Sequence, residues 1–320
     1  MREDLLNELE NEYAQLRADN ERTEEMRKEK IRIEQPRIYA LTKEREDIVF
    51  GTLRSIVNGT AKKAEGLPER MEKLNEQIRT LLTENGYPAD YLAPVDHGPI
   101  CKDTGKTGDN VKEPCECLKK AYQQKLRAKI GLNGTRAETF EAFDASVFPD
   151  EKIAGLDFTQ REMMQLYRTV CEKWANEYPE AEYRDLLLTG STGLGKTFLL
   201  RAMAERLIER DINVLIISAY KMLEIVRKAY FSNEETADEI ADAEVLMIDD
   251  LGSEPLMQNV TVEQLFNLLN ERQNRRLSTI ISTNLTMDEI KNRYTERIAS
   301  RLRARDNWKV ITLEGKDIRS

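Results

Sequence analysis

The octapeptide Gly190-Ser191-Thr192-Gly193-Leu194-Gly195-Lys196-Thr197 is the most chemically specific stretch of this 320-residue chain. Glycines at these places let successive backbone N–H groups curl around an anion, and a helix starting at the end of the loop adds the positive end of its dipole. In this spacing Lys196 reaches the outer phosphates of a nucleoside triphosphate, and the Thr197 hydroxyl ligates Mg²⁺. An apolar stretch, Asp185 to Gly190, precedes the loop and a helical pattern, Phe198 to Arg210, follows it. That strand–loop–helix context is the one the motif needs.

A second apolar run, Val245 to Ile248, ends in Asp249 and Asp250. A strand beside the phosphate loop would deliver Asp249 to the Mg²⁺ shell and leave Asp250 to orient an attacking water. A third run, Thr279 to Thr283, ends at Asn284, whose amide is placed to bond that water or the γ-phosphate; asparagine at this point also serves as an ordinary turn residue. No guanine-reading Asn/Thr-Lys-x-Asp motif occurs, so ATP is expected rather than GTP.

Arg297 and Arg301 are four residues apart on an expected helix spanning Tyr294 to Arg303, and so share a face. Between Arg275 and Lys309 nine basic residues stand against four acidic ones. This is either a solvated cationic face or an arginine finger offered to a neighbouring copy's ATP, which implies a homo-oligomer. Arg319, next to the end of the sequence, is either a second phosphate sensor acting in its own chain or part of a frayed tail.

His97, Cys101, Cys115 and Cys117 offer four zinc ligands within 21 residues, among the turn-formers Pro88, Pro94, Gly98, Pro99, Gly105 and Gly108. Without disulfides, such clustering favours a tetrahedral Zn²⁺ over redox pairing, with plain reduced thiols in a loop as the alternative. Cys171, in an apolar helical pattern, is expected to be a buried core thiol.

Elements must position these groups. Expected strands are Leu186–Thr189, Val214–Ser218, Val245–Asp249, Thr279–Ser282 and Val310–Leu313, separated by helical patterns such as Val262–Arg272. The alternation predicts an α/β fold, a parallel sheet with helices on both faces. Ahead of it, residues 1–90 read as a helical bundle broken at Pro36, with Leu5, Leu9 and Leu16 forming a narrow stripe on a charged helix. Residues 91–120 hold the Cys/His module, residues 121–150 a helix and a linker docked by Phe140, Phe143 and Phe148, and residues 151–320 the nucleotide-binding domain.

The net charge of −9 excludes a surface wrapped in nucleic acid but leaves room for the local patch of net +5. No apolar run reaches the roughly 18–20 residues of a membrane span. The opening residues carry no signal-peptide core and cysteines are few, so a cytoplasmic protein without membrane contact is expected.

Taken in order, Gly190–Thr197, Val245–Gly252, Ser282–Asn284 and Glu296–Leu302 resemble the AAA+ ATPases of the DnaC/DnaI helicase-loader type and the related IstB transposition helpers, over about residues 135–320. The resemblance implies an α/β P-loop AAA+ ATPase domain that binds ATP, oligomerises, contacts single-stranded DNA and delivers a replicative ring helicase held by the N-terminal region. It assigns the trans-acting finger to Arg301, with Arg297 second, and the sensor place to Arg319. The Cys101 and Cys115–Cys117 segments resemble a zinc module of Gram-positive-type loaders, which opens with C-x-x-C; here Gly98 stands three before Cys101. Alternatives are an IstB-type helper acting on duplex DNA and an adaptor that binds ATP without hydrolysing it.

Overall fold

A computed structural model describes residues 2–57, 67–98, 100–108, 112–132, 138–153, 155–232, 238–256, 261–304 and 306–319. Pro99, and residues 133–137 of the linker, lie outside these. Two compact units are present, one formed by Asn7–Leu118 and the other by Lys119–Ser320 together with Met1–Leu6.

Three helices lead the chain: α1 (Arg2–Glu34), α2 (Pro36–Val57) and α3 (Leu67–Glu84). Pro36 starts α2, where its missing N–H costs nothing. Where the apolar stripe thins, α1 nonetheless runs on as helix, because Arg, Lys and Glu are good helix formers. The core of this unit joins Ile31 and Ile38 to Ile78 and Leu82, with Tyr39, Tyr87 and Tyr91 packed against it. A short antiparallel pair follows, β1 (Lys106–Thr107) with β2 (Glu113–Pro114).

After α4 (Glu116–Lys129) come a 3₁₀ turn (Ala145–Val147) and α5 (Gln160–Glu177), whose start is closed by a capping box between Thr159 and Glu162. The α/β part then runs β3 (Asp185–Gly190), α6 (Lys196–Glu209), β4 (Val214–Ser218), α7 (Ala219–Ser232), α8 (Asp238–Asp242), β5 (Val245–Leu251), α9 (Thr261–Asn274), β6 (Ser278–Thr283), α10 (Met287–Tyr294), α11 (Glu296–Leu302) and β7 (Trp308–Leu313). All five strands pair in parallel in the order β4-β5-β6-β3-β7. Their unbroken apolar runs suit a sheet covered on both faces, and Leu186–Leu188 and Val245–Ile248 are fully buried. The order inserts β6 between β3 and β5, so three strand ends converge on one edge.

Cys171 is fully buried, and burial pushes its thiol up to about 12, so it is an inert core residue. Arg272, also fully buried, donates to the carbonyls of Ile240, Ala241, Ala243 and Ser278, tying α9 to the end of α8 and the start of β6. The expected single helix from Tyr294 to Arg303 is corrected: Thr295 has φ +98° and separates α10 from α11. A φ of that sign lies outside the right-handed α region, so the helix cannot run through Thr295.

Candidate functional site

The loop after β3 and the first turn of α6 line a cleft of about 370 Å³ with Asp249, Asp250, Ser282, Asn284, Ile318 and Arg319. Thr192 to Thr197 form its floor. Lys196 is 7% exposed and donates from Nζ to the carbonyls of Gly190 and Ser191, each at 2.6 Å. Burial pulls its ammonium below the usual lysine range, while Asp250 and Asp249 oppose that shift. A desolvated cation at a helix N-terminus is stabilised by bringing an anion to it.

Thr197 Oγ1 lies 3.2 Å from both carboxylate oxygens of Asp249. A hydroxyl and a carboxylate so placed are the oxygen donors Mg²⁺ takes from protein, with phosphates and water completing its octahedron. Ser282 supports them: its Oγ donates to Asp249 and accepts the N–H of Asp250 at 2.9 Å.

Asp250 owes its direction to an irregularity in the sheet. The β5–β6 register pairs Ile248 with Ile281 but Leu251 with Thr283, so β5 carries one extra residue there, and Asp250 has φ +58°. A bulge of this kind turns a side chain out of the pleat alternation. Two consecutive aspartates, which a regular strand would send to opposite faces, thereby both line the cleft. Asn284 Nδ2 donates to Asp250 Oδ1 at 2.8 Å.

Arg319 also lines the cleft, and the Ile318 N–H beside it donates to the Gly193 carbonyl at 3.1 Å. Arg297 and Arg301 do not line it. Their guanidinium carbons stack over the ring of Phe266, 4.1 and 4.5 Å from its centroid, and Arg301 also donates to Gln273. Ahead of them, Tyr294 bonds through its hydroxyl to the buried Glu254, whose other oxygen accepts the N–H of Gly252 at 2.8 Å. The segment after β5 is thus tied to the joint that carries α11.

Reading the motifs alone misses several groups here. A second pocket of about 420 Å³ adjoins the phosphate loop at Gly195, with Phe143, Val147, Phe148, Phe198 and Ile318 on its apolar side and Glu138, Asp144, Arg201 and Glu205 on its charged side. Phe143 sits between Phe148 and Phe198, with centroids 5.7 and 5.8 Å away. Two of the three expected docking aromatics, Phe143 and Phe148, therefore also wall a pocket, while Phe140 is buried away from it; the pocket's signal in the sequence is the aromatic placed directly after Thr197.

In the N-terminal unit the sulfurs of Cys101, Cys115 and Cys117 lie within 4.8 Å of one another. Cys101 Sγ is 3.2 Å from Cys117 Sγ, and the sulfurs of Cys115 and Cys117 lie closer still. His97 lies outside this group of sulfurs. Its ring is 64% exposed with Nδ1 3.4 Å from Asp103, while the His97 and Gly98 N–H groups and Asn20 bond the same carboxylate. Burial would raise the pKa of Asp103, but those hydrogen bonds outweigh it and hold the group low, making it the structural knot of this loop.

Residues 136–303 match the model of the family described as IstB-like ATP binding protein. The replicative helicase loader DnaI of Bacillus subtilis (strain 168) is 26% identical over 157 residues, covering 47% of this chain and 50% of that protein. The protein YqaM of the same organism is 27% identical over 226 residues, 68% of each chain. A crystal structure of DnaI aligns with 56% of this chain and 89% of that one, at 27% identity and a TM-score of 0.42. The present chain spans about half the length of the DnaI relative. Among the described residues no helix is long and apolar enough to cross a membrane.

Proposed function

The chain belongs to the IstB-like ATP binding protein family, and we propose that it is a helicase loader, an ATPase that uses bound ATP to place a replicative ring helicase on single-stranded DNA. The observation that carries the ATPase reading is the convergence of Lys196, Thr197, Asp249, Asp250, Asn284 and Arg319 on one cleft. In this reading Gly190, Ser191, Thr192, Gly193, Leu194 and Gly195 cradle the phosphates, and Lys196 neutralises the outer ones. Thr197 and Asp249 hold Mg²⁺, which when bound draws charge off the transferring phosphoryl group. Asp250 takes a proton from the attacking water, and Asn284 holds that carboxylate in line. The pocket of Phe143, Phe148 and Phe198 takes the base, as aromatic faces suit a purine and the charged Glu138, Asp144, Arg201 and Glu205 beside them supply polar groups.

Arg301, and Arg297 beside it, stand off the chain's own cleft, which supports their use on a neighbouring copy's γ-phosphate in a homo-oligomer. The helicase-loading part of the proposal rests on the similarity to DnaI, and a loader would act in the cytoplasm. Residues 1–90 would bind the helicase. Residues 91–120 would form a zinc module in which Cys101, Cys115 and Cys117, when reduced, hold the metal.

The test is steady-state ATP turnover of the full chain with and without single-stranded DNA, for wild type and Asp250→Asn, alongside loading of the host's replicative helicase onto a single-stranded circle. DNA-stimulated turnover lost in Asp250→Asn, with loading that needs Lys196, supports the reading. Turnover absent under every condition leaves a nucleotide-dependent adaptor. Turnover stimulated by duplex DNA with no helicase loading favours the transposition-helper reading, which the family match also accommodates.

A further inference from the structure

The residues after β7 cross the phosphate loop on a path set by one buried amide. Gln160, the first residue of α5, is 2% exposed. Its Nε2 donates to the carbonyl of Lys316 and its Oε1 accepts the N–H of Lys316, each at 2.9 Å. A side chain thus makes the paired bonds a neighbouring strand would make. Gly315, at φ +140°, lies so close that a Cβ there would overlap the Gln160 carboxamide.

Beyond this clamp the tail reaches the phosphate loop itself. The Asp317 carboxylate occupies the space where a Cβ of Gly193 would stand, so these two positions fit only because residue 193 is glycine. Asp317 Oδ1 accepts from the N–H of Arg319 at 2.9 Å and from its Nε at 3.3 Å. Ile318 lines both the phosphate cleft and the aromatic pocket. The ion pair of Lys316 with Glu151 is exposed on both sides and anchors little. The buried bonds to Gln160 hold this segment from one side, and the Ile318 N–H donated to the Gly193 carbonyl holds it to the phosphate loop.

We propose that Gln160 is a positioning residue for ATP: by clamping Lys316 it seats residues 315–319 as a strap over the phosphate loop, with Ile318 dividing the two pockets and Arg319 kept at the phosphates. This rests on the reading of the cleft as an ATP site. Gln160 touches no nucleotide, and it acts only through the strap.

The test is titration of the full chain with a fluorescent ribose-labelled ATP and Mg²⁺, for wild type, Gln160→Leu, Gly315→Ala, Arg319→Ala, Lys196→Ala and the double variant Gln160→Leu/Arg319→Ala. Gln160→Leu and Gly315→Ala are each expected to weaken binding about tenfold, equivalent to about 1.4 kcal/mol. The double variant should be no weaker than Arg319→Ala alone, because Gln160 acts only through the strap that carries Arg319. Additive losses, or wild-type affinity in Gln160→Leu while Lys196→Ala has lost binding, overturn the strap and leave the ATP site standing. No binding by wild type removes the ATP reading itself. If Gln160→Leu is unfolded, amide exchange decides: slow exchange at Lys316 and Ile318 in wild type, faster in Gly315→Ala, supports the clamp, and unprotected amides in wild type overturn it.

Discussion

Asn284 donates to Asp250 Oδ1 at 2.8 Å, joining the tips of β6 and β5 across a bulge that has turned Asp250 into the phosphate cleft. The bond uses one carboxylate oxygen of a residue that lines the cleft. Two neighbouring aspartates thereby have different partners, Asp249 being engaged by Thr197 and Ser282, and Asp250 by Asn284.

Asp250→Asn should therefore lower ATP turnover about 10²-fold or more while ATP affinity changes only a few-fold, since the loss falls on proton transfer. Asn284→Ala should lower turnover less, because the carboxylate remains but is no longer held. Paired turnover and binding measurements check this. A parallel fall of affinity and turnover in Asp250→Asn would count against the division.

Arg301→Ala keeps its own phosphate loop, and Lys196→Ala keeps its own arginines. Each alone should be about 10³-fold or more down in turnover. Mixed in equal amounts they should recover part of it, since an intact cleft then meets an intact arginine. Arg297→Ala should have the smaller effect. A mixture as inactive as its components would mean that Arg301 serves Phe266 and Gln273 only.

Metal analysis of protein purified under reducing conditions should find about one zinc per chain, as a three-thiolate group requires. Cys101→Ser should lose most of it. His97→Ala should keep it, because that ring faces Asp103 and stands outside the cluster. Zinc well below one per chain in wild type would rule the module out.

Burial raises the carboxyl of Asp185 to about 7, against the bond it accepts from the Thr279 N–H and the charges of Arg184 and Arg272. A raised carboxyl binds more protons in the folded than in the unfolded chain between about pH 4 and 7, so stability falls as pH rises through that window. Asp185→Asn, which can still accept the Thr279 N–H, should flatten the melting temperature across pH 5–8 and raise it at the alkaline end. Thermal melts of both proteins at several pH values check the sign. A wild-type melting temperature that climbs with pH as the variant's stays flat would contradict it.

The strands from Leu186 to Thr189 and from Val214 to Ser218 were legible because apolar runs bounded by turn residues admit few other structures. The phosphate loop was legible because its chemistry demands those residues at those intervals. Cys171 and the place of Pro36 followed from composition and local sterics.

What tertiary structure alone decided were relations between residues far apart in the chain. That β6 lies between β3 and β5 is a matter of strand order, and only that order brings Asn284 to Asp250. The bulge that aims Asp250 arises from a register between two strands, which neither strand encodes by itself. His97 looks like a ligand by spacing, yet Asp103 claims its ring and Gly98 leaves that corner without a side chain. The tail was open to two readings in sequence, since a chain end holds only if something grips it. Gln160, 156 positions before Lys316, supplies that grip. Local sequence sets what each segment can be, whereas burial and hydrogen-bond satisfaction across distant segments set which groups meet.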